Sequence, residues 1–120
     1  MASRTLLTFS IVAAGTAARA VRGHRDIDYR EQVLTELGVD TQVVSLTTPG
    51  THVEIPERAA DLAQLVNDAF ADVVATRAER FAALATLPLN DPLASTRELE
   101  RAMTTLGLPG AMLFSNVNGV

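Results

Sequence analysis

Four polar side chains at predicted strand ends are the best candidates for chemistry in this sequence. Thr47 and Thr48 follow one apolar run, and Asn116 and Asn118 follow another. Ligands of parallel α/β folds gather beyond the carboxyl ends of the strands, where hydroxyl and amide groups can hydrogen-bond them. We therefore predict that these four residues bind substrate. The alternative for the asparagines is a turn that uses the tolerance of asparagine for left-handed backbone.

The other reactive side chains have simpler explanations. The sequence holds two histidines, His24 and His52, and no cysteine, so zinc–thiolate sites and thiol catalysis are excluded. His52 follows a predicted strand and could touch substrate, but we favour a solvent-exposed loop histidine, because one histidine makes no site. Glu54 and Glu57 are typical of charges that favour a helix start. Ser45 has no nearby base, so we predict no catalytic residue.

Composition and charge narrow the class of protein. The chain has 120 residues, of which 48% are hydrophobic and 20% charged, as expected for one globular domain. Its net charge of −4, without a basic patch, argues against a nucleic-acid partner. The apolar run after Arg4 loosely resembles a signal peptide but is too short and interrupted to span a bilayer. We therefore predict a cytoplasmic protein without a membrane partner; export through residues 1–20 is the alternative.

The elements that must position the candidate side chains follow a repeated pattern of helix, glycine and strand. A first helix is predicted after Asp28, with Glu31 completing a capping box and Gly38 ending the helix. Asp91 should cap a later helix, which Gly107 ends. This order predicts a mainly parallel sheet with helices on one outer face. The predicted elements are strands near Thr41–Leu46, Phe81–Leu87 and Ala111–Phe114 and helices near Pro56–Arg77 and Pro92–Leu106. Residues 1–25 are a poorly determined N-terminal segment, and the domain covers 26–120.

Several of these segments carry a resemblance to a known family. They resemble, from about Asp26 to Gly119, the N-terminal half of the amidohydrolase-related family. The branch is the one that resembles aminocarboxymuconate-semialdehyde decarboxylase. The matching segments are Leu37 to Ser45, Asn67-Asp68, Arg80-Phe81, Leu87-Pro88-Leu89, Glu98 to Ala102, Leu106-Gly107 and Ser115 to Gly119.

The resemblance implies a metal-dependent (β/α)₈ barrel that decarboxylates or hydrolyses a small carboxylated substrate. A divalent metal, commonly zinc, would be held by histidines and an aspartate at strand ends. A whole barrel takes about 250 residues, and the family's His-x-His pair is missing, since His24 and His52 are far apart. We therefore predict a partial barrel, its N-terminal half, with about three to four parallel strands. We also predict that this chain binds no metal and is inactive by itself.

A partial barrel leads to one further expectation, and the main alternative function stands beside it. Strand residues alternate between the barrel interior and the helix layer, so some should lose their apolar partners and the chain should self-associate through its sheet. The strand residues expected to alternate in this way include Val44, Leu46, Ala83, Ala85, Leu113 and Phe114. The alternative function is a small non-catalytic α/β domain that binds a partner through an open sheet edge.

Overall fold

The elements of the fold come from a computed structural model that describes residues 5–7, 22–24, 26–46 and 49–120. Helices and strands alternate along the described chain, as the sequence pattern predicts. In order they are β1 (Thr5–Leu7), a 3₁₀ helix (Arg22–His24), α1 (Ile27–Glu36), β2 (Thr41–Val44), α2 (Pro56–Thr76), β3 (Phe81–Ala83) and α3 (Pro92–Thr104).

The strands form one parallel sheet in the order β1-β2-β3. Beyond β3, Ala85 pairs in parallel with Ala111 through a single bridge. The predicted parallel order is therefore confirmed, but the predicted strand at Ala111–Phe114 is reduced to that bridge. The reason is that the chain leaves the ladder after Met112, and Phe114 packs against His52. β1 also brings part of the N-terminal segment 1–25 into the sheet.

The first helix begins two residues earlier than the sequence suggested. Asp26, not Asp28, is the N-cap, and its carboxylate accepts a hydrogen bond of 3.0 Å from the Tyr29 backbone N–H. Asp28 cannot form the predicted capping box with Glu31 because it lies inside the first turn of the helix rather than at the N-cap. Both carboxylates instead accept hydrogen bonds from Arg77. The predicted stop by Gly38 is confirmed: the helix ends at Glu36, and Gly38, two residues later, has φ 67°, the left-handed conformation that glycine adopts readily.

The other helix boundaries match the local signals. Asp91 caps α3 by accepting a 3.0 Å hydrogen bond from the Ala94 N–H, and Gly107 follows the helix with φ 70°. α2 begins at Pro56, where proline costs nothing because the first N–H groups of a helix have no intrahelical partner.

The core lies on one face of the sheet. Residues 42, 44, 81 and 83 are register partners on this face, and their burial alternates with that of their neighbours. All three α-helices contribute to the same core, so the prediction of helices on one outer face is confirmed. The buried cluster consists of Leu34, Val44, Phe81, Ala83, Ala85, Ala102 and Leu108, with Phe70, Val73 and Val74 packed against it.

The opposite face of the sheet presents Val43, Ala82 and Leu84, which are only partly buried. The predicted alternation is wrong for Val44, Leu46, Ala83 and Ala85, which are all buried, whereas Leu113 is 65% exposed, as the prediction allowed. Residues two positions apart in a strand face the same side of the sheet, so Val44 and Leu46 share one face, as do Ala83 and Ala85. Self-association through the sheet stays a prediction.

Candidate functional site

Three segments meet beyond the carboxyl ends of the strands. We call them together the carboxyl edge: residues 45–46 and 49–55 after β2, residues 84–91 after β3 and residues 112–120. The side-chain amide of Asn90 donates to the Glu54 carbonyl, and that of Asn118 donates to the His52 carbonyl, both at 2.9 Å. Residues 52–54 therefore hold the other two segments in place through their own backbone.

A pocket of about 260 Å³ opens at this edge. Its walls are partly apolar, from proline, valine and phenylalanine, and partly polar, from histidine, serine and asparagine. This mixture is typical of sites for small organic ligands, in which apolar walls bind and a few polar groups orient. The lining residues are Pro49, His52, Val53, Phe114, Ser115, Asn116 and Asn118.

His52 is buried, which corrects the expectation of a solvent-exposed loop histidine. Only 6% of the residue is exposed. Its ring meets Phe114 edge to face, with centroids 5.2 Å apart and planes at 63°. It also lies against Gly50, where an added Cβ would be 3.2 Å from His52 Nδ1 and 3.2 Å from Phe114 Cε2. Packing of this kind fixes the ring, which the sequence pattern did not reveal.

The structure brings two of the four predicted binding residues to the pocket. Asn116 and Asn118 both line it, and Asn118 also has φ 52°, the left-handed backbone of the alternative interpretation. The Asn116 Oδ1 atom accepts a 3.3 Å hydrogen bond from the Gly119 N–H, as in an asparagine-built turn. Thr47 and Thr48 lie outside the described residues. Substrate binding by all four residues stays a prediction.

Three buried polar side-chain atoms have no hydrogen-bond partner in the described part of the chain. They are Ser45 Oγ, His52 Nδ1 and Asn90 Oδ1. Each unpaired buried atom costs about 1–3 kcal/mol, so native structures contain few of them. All three belong to the carboxyl edge, which gives this edge an unmet capacity for hydrogen bonding.

A network of polar side chains from α2 and α3 supports the segment that follows β3. Asn67 binds both backbone groups of Thr86: its Oδ1 accepts from the N–H at 2.8 Å, and its Nδ2 donates to the carbonyl at 2.9 Å. Asn67 Nδ2 also donates to Glu98 at 2.8 Å. Glu98 in turn accepts two hydrogen bonds from Arg101, and these raise the pKa of the Arg101 guanidinium above its usual range. Asn67 thus acts as an extra strand partner that fixes the backbone at Thr86.

The described residues do not fit the catalytic metal that the resemblance implies. No group of three or more histidine, cysteine, aspartate or glutamate side chains comes close enough to hold an ion in that part of the chain. A catalytic zinc site uses about three protein ligands. We therefore derive no chemical step through a metal from these residues. In the same ranges, no helix is both long enough and apolar enough to cross a membrane.

The residues that sequence analysis missed carried a weak signal. Asn67 is four residues beyond Ala63 and eight beyond Ala59, so it occupies a buried position on the apolar face of α2. Glu98 likewise occupies a buried position in α3, four residues before Ala102. A polar residue at an apolar position indicates a buried hydrogen-bond network. No comparable pattern marks His52.

Sequence comparisons identify decarboxylases as relatives. The chain is 41% identical over 88 residues to gamma-resorcylate decarboxylase from Rhodococcus jostii, an alignment that covers 72% of this chain and 26% of the relative. It is 44% identical over 96 residues to 2-amino-3-carboxymuconate-6-semialdehyde decarboxylase from Dictyostelium discoideum, covering 78% of this chain and 26% of the relative. The chain thus spans about a quarter of the length of the curated relatives that it matches. No protein-family model matches the sequence.

Solved structures agree with these relatives. A dihydroxybenzoic acid decarboxylase from Polaromonas, with bound manganese and 2-nitroresorcinol, matches with TM-score 0.74 and 28% identity over 92% of this chain and 38% of its own. An amidohydrolase matches with TM-score 0.80 over 98% of this chain and 42% of its own, and at 15% identity it supports the fold alone. The predicted resemblance is confirmed: the chain is a homologue of the gamma-resorcylate and aminocarboxymuconate-semialdehyde type of decarboxylase, and the solved structures that match its fold include amidohydrolase-fold decarboxylases.

Proposed function

We propose that this chain forms part of a carboxy-lyase of the amidohydrolase type, and that its carboxyl edge binds a small carboxylated substrate. The observation that carries the proposal is the identity of 41–44% to decarboxylases across 72–78% of the chain. Decarboxylation is favoured over hydrolysis because these relatives are named for it. In that reaction the bond to the carboxyl carbon breaks, carbon dioxide leaves, and a proton takes its place.

The substrate contacts would come from the predicted residues at the edge. Asn116 and Asn118 line the pocket with amide groups that can hydrogen-bond a carboxylate or a hydroxyl. Thr47 and Thr48 would add hydroxyl groups from the segment after β2. The chain would contribute these residues as one part of a (β/α)₈ barrel, whose C-terminal face carries the active site.

A divalent metal belongs to the proposed chemistry of the complete site. Solved matches contain manganese, which supports a divalent metal without supporting zinc, the ion that the family resemblance implied. Such an ion would polarise an oxygen of the substrate. Since no described cluster can hold it, we expect the 120-residue chain alone to bind a carboxylated ring without turning it over.

The test is a titration of the 120-residue chain with 2,6-dihydroxybenzoate, the ligand of one solved match, in the presence of manganese. Resorcinol, which is the same ring without its carboxylate, serves as the matched control. We expect the acid to bind at least about fivefold more tightly, because a charge-assisted hydrogen bond is worth more than a neutral one. Equal affinity for both compounds, or no binding of the acid, would overturn the proposal.

A further inference from the structure

One wall of the pocket at the carboxyl edge comes from residues 49–55, which have little secondary structure of their own. This wall supplies three of the lining residues, Pro49, His52 and Val53. Among the described residues, the backbone of 51–54 makes a single backbone–backbone hydrogen bond, from the Glu54 N–H to the Thr51 carbonyl at 3.2 Å. Side chains from other segments must therefore set the position of the wall.

Two asparagine side chains from different segments hold this wall. The Asn118 amide donates to the His52 carbonyl, and the Asn90 amide donates to the Glu54 carbonyl, both at 2.9 Å. Asn118 itself lines the pocket, whereas Asn90 does not. An effect of Asn90 on a ligand must therefore act through Glu54 and the backbone next to it.

Asn90 has a rigid support for such a role. Asn67 of α2 bonds both backbone groups of Thr86. The Ser95 hydroxyl of α3 donates to the Pro88 carbonyl at 2.8 Å. The Asn90 amide therefore connects a segment that is fixed on two helices to a wall that has little fixation of its own.

The orientation of the Asn90 amide has a cost. The Glu54 carbonyl can only accept a hydrogen bond, so the amide nitrogen must face it, and the amide oxygen then takes the buried side. That oxygen, Oδ1, has no hydrogen-bond partner in the described part of the chain. A buried unpaired acceptor costs at least as much as the exposed bond from the nitrogen contributes. Stability alone does not explain this side chain, whereas a role in shaping the pocket does.

We propose that Asn90 is a positioning residue that fixes the pocket wall at residues 52–54 for a bound ligand without adding to the stability of the fold. The inference rests on the proposed function and deepens it, because it names a residue that shapes the same pocket without touching the ligand. When the Asn90 side chain is removed, the Glu54 carbonyl bonds to water instead. The wall then occupies its binding conformation for a smaller fraction of the time, and the apparent affinity falls by that fraction.

The experiment compares Asn90→Ala with Ser95→Ala as the matched control. Both variants remove one side-chain hydrogen bond to a backbone carbonyl, but the bond of Ser95 joins the segment after β3 to α3 and does not reach the wall. Each protein is titrated with 2,6-dihydroxybenzoate in the presence of manganese and melted without ligand. We expect Asn90→Ala to bind the acid about fivefold more weakly, the factor that one hydrogen bond contributes, and to melt no more than about 2 °C below the unaltered chain. Ser95→Ala should bind the acid within about twofold of the unaltered chain, because the wall keeps its anchor.

Resonances recorded without ligand test the same role independently of binding. The ring resonances of His52 and Phe114 should be displaced in Asn90→Ala and should stay in place in Ser95→Ala. Equal affinities of the two variants, or unmoved ring resonances in Asn90→Ala, would overturn the inference and leave the proposed function standing. A melting temperature of Asn90→Ala that falls by about 5 °C or more, or a loss of folding, would overturn it too, because a merely structural residue behaves in that way. If the unaltered chain does not bind the acid, the proposed function is overturned, and the ring resonances then decide whether Asn90 still positions the wall.

Discussion

The two ends of the same small sheet treat their polar groups in opposite ways. At the amino end, which we call the amino edge, Arg77 donates to Asp28 and Glu31, and Arg80 donates to the carbonyls of Val39 and Asp40. At the carboxyl edge, three buried polar atoms lack partners, and none of the described buried side-chain atoms at the amino edge does. Parallel α/β proteins use the first end for stability and the second for ligands. The contrast supports placing the binding site at the carboxyl edge.

The two edges also differ in how well they tolerate the loss of a hydrogen-bond partner. Arginine pairs at the amino edge are partly exposed, so water can replace a lost partner there. The carboxyl edge rests on Asn67, Glu98 and Thr86, which are all buried. Loss of a partner there leaves groups that water cannot reach. Substitutions at the two ends should therefore differ in size and in kind.

The largest effect should follow from Asn67→Ala. It removes three hydrogen bonds, two to the backbone of Thr86 and one to Glu98, and leaves the partners buried. We expect the free energy of unfolding to fall by about 3 kcal/mol, measured by urea denaturation. Gln64→Ala, an exposed position on the same helix, is the control and should change it by less than about 0.5 kcal/mol. A loss below about 1 kcal/mol for Asn67→Ala would show that the network does not support the carboxyl edge.

Gly50→Ala should come next, with a matched control at Gly110. Gly50 has φ 68°, and a Cβ there would meet His52 Nδ1 and Phe114 Cε2 at 3.2 Å. Left-handed backbone costs a non-glycine residue about 1–2 kcal/mol, and we expect a loss of that size together with displaced ring resonances of Phe114. At Gly110 the added Cβ would make an ordinary 3.6 Å contact with Leu84, so Gly110→Ala should be nearly neutral. Equal effects at the two glycines would argue against a tightly packed His52.

Arg80→Met tests the amino edge. The guanidinium donates to the Val39 carbonyl at 3.1 Å, the Asp40 carbonyl at 2.8 Å and the Thr35 hydroxyl at 3.0 Å. Because water can reach these acceptors, we expect a loss of only about 1 kcal/mol in thermal denaturation. Binding of 2,6-dihydroxybenzoate should be unchanged. Weaker ligand binding in this variant would contradict the division of roles between the two edges.

The smallest effect concerns acid stability through Asp26. A hydrogen bond from the Tyr29 N–H, and then one from Arg22, lower the pKa of the Asp26 carboxyl in the folded protein. A lowered folded pKa adds stability above the unfolded pKa of about 3.9, and that stability disappears as the pH falls through the folded pKa. Asp26→Asn keeps a capping acceptor but no charge. It should melt slightly lower than the unaltered chain at about pH 7 and at the same temperature at about pH 2; a constant difference would contradict this.

The features that sequence analysis predicted are those with local causes. Gly38, Gly107 and Asp91 end or begin helices through the conformation and hydrogen bonding of the residue itself, so their types were informative. Asp28 was the wrong N-cap because Asp26 takes that position, and Asp28 instead accepts a hydrogen bond from Arg77, which is 49 positions away. A sequence without a structure does not show such a partner.

The candidate site also shows that local features could be predicted and that contacts between distant residues could not. Asn116 and Asn118 were predicted to lie at the pocket because they follow an apolar run at a strand end, a local pattern. The burial of His52 depends on Gly50, Phe114 and the hydrogen bond from Asn118, and two of these partners come from the other end of the domain. Tertiary packing therefore overrode the reasonable expectation that a loop histidine is exposed.

The position of a bound carboxylated ring would show which edge of the sheet binds the ligand. Backbone and ring resonances of the 120-residue chain can be followed while 2,6-dihydroxybenzoate is added. We expect saturable shifts at His52, Phe114 and Asn118 and none at Arg77 or Arg80. Shifts centred on the two arginines, with His52 and Asn118 unmoved, would contradict the assignment of ligand binding to the carboxyl edge.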